Sequence, residues 1–361
     1  MAPVAPPVAA APAAPIALLQ SELDRLVMSS GVPGAQMVYT TPGQIDQFDS
    51  GVGDLGTGAR FPDDSRVRIA SITKTFVATV ALQLVAENRI DLDAPLERYL
   101  PGVVHGPGGD GARITVRNLL QHTSGIPNYL PMLDQGSVAM LRNSRSADEL
   151  IELGLGAPSE FVPGTTFGYS NTNYLLVGKL IERVTGSPVA VAVAQRILLP
   201  LGLSETYWPE FPLDEVLHGP HPRGYHRFGE LRVDVTDVDA GWGLADGAMV
   251  STGRDLNRFY LALVSGHVLP PELLAQMQNT IPTGLTGGFS EASGLGLFRF
   301  STLCGRTAWG NSGSIQGFST ISVATEDRAV TVLLNELPGL SGNIQLIIGT
   351  NALLTIALCP P

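Results

Sequence analysis

A serine and a lysine three residues apart, Ser71 and Lys74, open a run to Ala86 that is apolar on nearly every helical face, with Lys74 as its one charge. Side chains at i and i+3 of a helix lie about 5–6 Å apart, so the hydroxyl and the amine can share a hydrogen bond. A helix apolar all round belongs inside a protein. An ammonium there is costly unless it is paired or yields its proton, and a lysine that yields it is a general base. Arginine could not do this. The N-terminal place of Ser71 adds unpaired backbone N–H groups and the positive end of the helix dipole, which favour a developing anion. A bare S-x-x-K arises by chance in many chains; the apolar context gives this one weight.

Two further groups fit the same chemistry. Tyr169-Ser170-Asn171 precedes a helical pattern that runs on through Tyr174, Leu175 and Leu180. A phenol can pass a proton between a nucleophile and a leaving group, and an Asn amide can hold a substrate carbonyl; an N-cap Asn beside a packed Tyr is the alternative. Gly310-Asn311-Ser312-Gly313-Ser314 stands just before a predicted strand, Ser319–Thr325. Glycines there let a ligand lie against a strand edge, and the Ser314 N–H could join that of Ser71 as an oxyanion hole. A Gly-rich turn is the competing reading.

The chain that must position these groups has 361 residues, 44% hydrophobic and 15% charged, enough for one large or two medium domains with a buried core. Its net charge of −11, with no clustering of arginines, excludes a nucleic-acid partner. Only two of its 22 basic residues are lysines, Lys74 and Lys179. Lys179 falls on an exposed helical turn, so Lys74 is the one placed where a removable proton matters. No apolar stretch approaches the ~20 residues of a membrane span. Residues 1–15 are Ala/Pro-rich without a basic n-region and are expected to be a disordered leader. Cys304 and Cys359 can be a disulfide, worth about 4 kcal/mol in an oxidising compartment, or two separate buried thiols. The compartment follows from that choice: extracytoplasmic with the bond, cytoplasmic without it.

Periodicity predicts a helix over Ile16–Ser30, strands over Gly34–Thr41 and Gln44–Val52, and short helices at Val116–Gln121, Ser146–Gly154, Asn171–Thr185 and Val189–Leu199. Strands return at Gly294–Phe300, Ser319–Thr325 and Ala329–Asn335, before a closing apolar helix over Gly342–Leu358. The fold class is therefore α/β (α+β): an antiparallel sheet flanked by helices and built from both termini, residues 16–68 and 240–361, with an inserted all-helical domain over 69–239. Gly51-x-Gly53-x-x-Gly56 matches a dinucleotide fingerprint, but Gly58, Pro62 and Asp63-Asp64 follow where a helix should open, so it reads as a turn. No G-x-S-x-G elbow occurs. His122 and Ser124 read as structural loop residues, and His218, His221 and His226 as a loop without metal-ligand partners.

Taken in order, S-x-x-K, Y-x-N and a third motif resemble the serine β-lactamase and penicillin-binding protein superfamily. The Tyr of the second motif points to its class C β-lactamase and DD-carboxypeptidase branch, which includes esterases, D-amino-acid amidases and transacylases. Arg68–Phe76, Leu119–Gly125, Pro163-Gly164 leading to Phe167–Tyr174, and Asp246-Gly247 leading to Ser251–Leu256 resemble family segments, so the likeness spans about residues 18 to 359. It implies Ser71 as nucleophile, Lys74 as its base, Tyr169 as proton relay and Asn171 as a substrate-orienting group, with Asn311, Ser312, Gly313 and Ser314 along the substrate and no metal or cofactor. It also favours the Cys304–Cys359 disulfide. Trp242, Tyr129 and Trp309 are packing residues by type, but by resemblance they lie on cleft-lining loops, and Trp242 is taken as a substrate contact.

Two departures bear on the substrate. Relatives carry Lys or His where this chain has Asn311. Carboxypeptidases of the branch also place an Arg a few residues before the first cysteine; counted back without gaps that position is Phe298. Arg299 is next along, and neighbours on a strand face opposite ways, so it is expected to need a bulge to reach the site. Both changes remove positive charge where a cell-wall peptide or β-lactam presents a carboxylate. The expectation is a serine acyl-enzyme hydrolase or acyltransferase, acting as a monomer on a neutral small-molecule or peptide-like ester or amide. The alternatives are a D-alanyl-D-alanine carboxypeptidase or β-lactamase, and a non-catalytic binding or sensor protein.

Overall fold

Residues 16–133, 145–210, 214, 216–237, 244–284, 291–337 and 344–359 are described by a computed structural model. Helix α1 (Ile16–Ser30) buries the row Leu19, Leu23 and Leu26, as its spacing requires. Strands β1 (Gly34–Thr41) and β2 (Gln44–Gly51) form a hairpin through Pro42-Gly43. Strand β3 (Val67–Arg68) leads into a 3₁₀ turn, Ala70–Ile72, and then helix α2 (Thr73–Ala86).

The helical middle holds α3 (Val116–Leu120), α4 (Ala147–Leu155) and α5 (Asn171–Thr185). Helix α6 (Val189–Val193) continues through a π-turn into α7 (Leu199–Leu201). A hairpin of β4 (Tyr225–Phe228) and β5 (Leu231–Asp234) falls inside the stretch expected to be all helical. Its Tyr225 N–H bonds to the Asn335 carbonyl at the end of the main sheet, so this segment sides with the strands.

Strand β6 (Val250–Ser251) pairs with β3, and α8 (Gly253–Val264) and α9 (Pro271–Met277) follow. The remaining strands are β7 (Ile281–Pro282), β8 (Ala292–Ser293), β9 (Phe298–Ser301), β10 (Thr307–Ile315), β11 (Phe318–Ala324) and β12 (Ala329–Leu334), before the closing helix α10 (Ile344–Leu358). The main sheet is antiparallel in the order β2-β1-β12-β11-β10-β9-β8-β7. Strands from the two ends of the chain meet at β1 and β12, in register from Ala35 opposite Leu334 to Thr40 opposite Ala329.

One sheet face packs on α1 and α10 through Met37, Val323, Val332, Leu23 and Leu353. The other receives α8: a Cβ on Gly253 would come within 2.6 Å of the Val38 side chain, and Asn257 bonds to Val38 O and Thr331. Helix α2 lies within the larger core on that side, with eleven of its residues buried.

Two sequence expectations change. Gly294–Phe300 is not one strand but the tight turn between β8 and β9, closed by Gly294 N–H to Leu297 O at 2.7 Å, followed by the start of β9. Gly296 there has φ +74°, and a side chain would strike Ala78 Cβ at 2.4 Å, so the turn is pressed onto α2. The third motif lies within strand β10 rather than ahead of a strand. Cys304 and Cys359 form a disulfide with Cα atoms 6.0 Å apart. Among the described residues no single helix is long and apolar enough to cross a membrane.

Candidate active site

Ser71 stands in the 3₁₀ turn just ahead of α2. The preceding residue, Ala70, has φ +46°, a conformation uncommon for a residue with a Cβ. Three contacts hold the turn in place. The Ile69 N–H donates to Met249 O at 3.0 Å, the Met249 N–H donates to Thr73 Oγ1 at 3.1 Å, and β3 pairs with β6. The segment Asp246–Val250 is thereby laid alongside the approach to the serine.

Lys74, 1% exposed, points back from the first turn of α2. Its Nζ bonds to Ser71 Oγ at 3.0 Å and donates to the Asp246 backbone carbonyl at 2.5 Å. The Tyr169 hydroxyl bonds to the same Ser71 Oγ at 2.8 Å, and Lys74 Nζ lies 5.2 Å from the centre of the Tyr169 ring. No carboxylate pairs with Lys74 among the described residues, so hydroxyl and carbonyl dipoles solvate it. Lys179, by contrast, pairs with Asp148 at 2.5 Å near the surface.

Tyr169 is positioned by the start of α5 and by His122. The imidazole is 4.4 Å, centre to centre, from the Tyr169 ring, and its Nδ1 accepts the Ser170 N–H at 3.2 Å. Burial, reinforced by the Lys74 charge, pushes its pKa down to about 3, so the ring is neutral. Ser124 donates to Asn173 Oδ1 at 2.6 Å, which leaves no Ser124–His122 nucleophile pair.

The third motif closes the other side. A Cβ on Gly313 would meet Ile69 O at 2.0 Å and Ser71 N at 3.0 Å, so only glycine lets β10 lie against the nucleophile turn. This brings Ser314 beside Ser71, and both line a cavity of about 80 Å³ together with Tyr129, Asn171 and Asp246. Along β10, strand β9 pairs with Thr307–Gly310, which leaves the β10 backbone beyond Gly310 free of β9.

Asn311 is placed differently from expectation. It is 3% exposed and does not line the cavity. Its Nδ2 donates to Thr75 Oγ1 at 3.2 Å and Ser71 O at 3.4 Å, while Oδ1 accepts the Ser312 N–H at 2.8 Å. The amide braces the turn from beneath. Ser312 and Ser314 are exposed; Asn171 lies at the first position of α5, its N–H donating to Asn128 Oδ1. Trp242 lies outside the described residues, and Trp309 packs on the helical core.

Phe298 and Arg299 face opposite ways, as alternation requires. Phe298 packs in the cluster under α1 and α10, and Arg299 stands opposite Trp309, on the sheet face that also carries Asn311. Which strand residue faces the site depends on register with β10, which the sequence of β9 alone does not reveal.

The sequence placed Asp246 in a family-like segment and gave it no role. It is 4% exposed; Oδ2 accepts the Tyr129 hydroxyl at 2.8 Å, and Oδ1 has no hydrogen-bond partner among the described residues. Burial holds its carboxyl above the usual range, with Lys74 and Tyr129 pulling the other way. Tyr129 is pushed well up, by burial first and then by the Asp246 charge. The available signal was a single carboxylate in the otherwise uncharged run from Gly241 to Thr252.

An antiparallel sheet between helical layers, with Ser, Lys and Tyr meeting at one oxygen, is the arrangement of the β-lactamase fold. The family model for Beta-lactamase matches residues 19–347, and the chain belongs to that family. Among solved structures, it is 35% identical to a D-stereospecific amidohydrolase from a Streptomyces species, with a TM-score of 0.82 over 91% of this chain and 96% of that one. It is 29% identical to the D-amino acid amidase of Ochrobactrum anthropi SV3, with a TM-score of 0.83 over 94% and 96%. Esterase EstB of Burkholderia gladioli is 32% identical over 52% of this chain and 50% of its own length. The chain spans about half the length of the first curated relatives it matches.

Proposed function

We propose that the chain is a serine acyl-enzyme hydrolase or acyltransferase whose donor is an amide or ester without a carboxylate at the reacting end. The observation that carries this is the convergence of Lys74 Nζ and the Tyr169 hydroxyl on Ser71 Oγ. Ser71 Oγ adds to the donor carbonyl carbon as its proton passes to Lys74. The N–H groups of Ser71 and Ser314 hold the tetrahedral oxyanion. The intermediate collapses by breaking the C–N or C–O bond, and Tyr169 relays the proton to the departing amine or alcohol. Water or a second nucleophile then adds to the Ser71 ester, releasing the acyl group and restoring the serine.

The choice of donor rests on charge. Asn311 brings no cation to the third motif, and Asp246 is the one charged side chain lining the cavity among the described residues. The amidohydrolase, amidase and esterase names of the relatives agree with such donors. The test is a screen of p-nitrophenyl esters and D-amino-acid amides, with and without an added nucleophile, read by intact-mass detection of acyl-Ser71. Acylation in the native chain and none in Ser71→Ala is expected; hydrolysis that survives Ser71→Ala overturns the reading.

Arg299 favours a second reading, a D-alanyl-D-alanine carboxypeptidase or β-lactamase, because it supplies a guanidinium on the sheet face that carries Asn311. A penicillin adduct on Ser71 would support it. Absence of an adduct at millimolar drug, with acylation by Asn311→His, would attribute substrate choice to the missing third-motif cation.

A further inference from the structure

A hydroxyl that takes no part in the proton transfers at Ser71 is the hub of the bonds beneath it. Thr75, next to Lys74 on α2, is wholly buried. Its Oγ1 donates to Gly296 O at 2.8 Å and accepts the Tyr260 hydroxyl at 3.1 Å and Asn311 Nδ2 at 3.2 Å. A threonine hydroxyl has one proton and two lone pairs, so its whole capacity is used. Burial pushes the Tyr260 phenol up, which keeps it protonated and a donor. The partners come from the β8–β9 turn, α8 and β10.

The hub decides which way round the Asn311 amide lies. With its proton committed to Gly296, Thr75 offers Asn311 only a lone pair, and Ser71 O is a second acceptor beside it, so Nδ2 faces both. Oδ1 is thereby turned to the Ser312 N–H at 2.8 Å. A flipped amide would set oxygen against two acceptors and N–H against N–H. In the orientation observed, one amide fastens both segments that carry the oxyanion donors: the turn by the Ser71 carbonyl, and β10 by the backbone two residues before Ser314.

We propose that Thr75 is a positioning residue of the oxyanion hole: bridged between α8 and the β8–β9 turn, its hydroxyl orients the Asn311 amide, which sets the separation of the Ser71 and Ser314 N–H groups. This rests on the acyl-enzyme reading of Ser71. Oxyanion donors act through geometry fixed before the reaction, so their displacement shows in the acylation rate more than in substrate affinity. Neither Thr75 nor Tyr260 lines the cavity, so both act on the substrate through other residues.

The experiment follows single-turnover acylation by p-nitrophenyl acetate, with acyl-Ser71 counted by intact mass, in the native chain, Thr75→Val and Thr75→Ser. Thr75→Val keeps the shape and removes the hydroxyl, and should slow acylation by about 30-fold with the half-saturating ester concentration changed by less than about twofold. Affinity for phenylboronic acid, whose tetrahedral adduct on Ser71 puts an oxygen in the same hole, should fall by a similar factor. Thr75→Ser restores the hydroxyl and should recover both to within about threefold of the native values. Three results would overturn the proposal: a loss of acylation under about threefold in Thr75→Val, an unchanged boronate affinity there, or a Thr75→Ser no better than Thr75→Val. Should Thr75→Val not fold, Tyr260→Phe decides. It removes one bond from the hub, and acylation and boronate affinity should fall together by about fivefold; no change in either overturns the proposal. Acylation by the native chain that none of the substitutions slows defeats the Thr75 proposal alone, and absence of acyl-Ser71 in the native chain defeats the acyl-enzyme reading and this one with it.

Discussion

Two sides of one small cavity are built on different terms. On the Ser71 side, Lys74 Nζ and the Tyr169 hydroxyl both bond to Ser71 Oγ, and Asn311, Thr75 and Gly313 brace the turn beneath. On the acyl side, Asp246 keeps one oxygen without a donor among the described residues. Groups that perform chemistry must be oriented before the substrate arrives, so their hydrogen bonds are completed within the protein.

The contrast can be broken most directly at the serine. Ser71→Ala should lower turnover of any ester or amide by roughly 10⁴-fold or more while leaving ligand affinity, measured by calorimetry, nearly unchanged. An equal loss of affinity would mean that the two sides are not separable. Lys74→Arg comes next. It keeps a cation but cannot release a proton, and single-turnover acylation should slow by about 10³-fold; a loss under tenfold would reduce Lys74 to an electrostatic role. Gly313→Ala forces β10 away from the nucleophile turn, and such a misplacement should cost roughly 100-fold in kcat with KM little changed. A matching rise in KM would place Gly313 on the recognition side instead.

The smallest expected effect separates the sides by the sign of their pH dependence. The His122 pKa of about 3 lies below its unfolded value near 6.5. Between the two, the unfolded chain takes up a proton that the folded one refuses. Stability is therefore lost as pH falls through that window, by about 1.4 kcal/mol per pH unit from this group. Asp246 is shifted the other way: its contribution is fully present below the unfolded carboxyl pKa and is lost as pH rises through the raised folded value. Urea unfolding at several pH values should show a shallower acid loss in His122→Asn and a steeper one in Asp246→Asn. Slopes changing in the same direction would contradict the assignment.

Much of this was legible in the sequence because it depends on local spacing. Ile16–Ser30 and Asn171–Thr185 are helices over the expected residues, and Ser71, Lys74 and Tyr169 converge as the motif order implies. What escaped depends on partners distant in the chain. Alternation says that Phe298 and Arg299 face opposite ways, but only the register with Trp309 tells which one shares a face with Asn311. A glycine pair inside Gly294–Phe300 looks like a weak strand until Ala78 of α2 is seen pressing on the turn. Asn311 resembles a ligand group by position and is a brace by contact, because its amide meets Thr75 and the Ser71 carbonyl.

The packing of β10 onto the nucleophile turn also bears on how this site can diversify. Position 313 is closed by the absence of room for a methyl group, and a new side chain at 311 has to replace the bonds that Asn311 makes beneath the turn. Ser312 and Ser314 leave the same strand on its exposed side, where a new side chain meets solvent instead of the turn. Changes at 312 and 314 are therefore the ones along this strand that leave the bracing of the turn untouched. A library restricted to them should sample new selectivities without first having to rescue the fold.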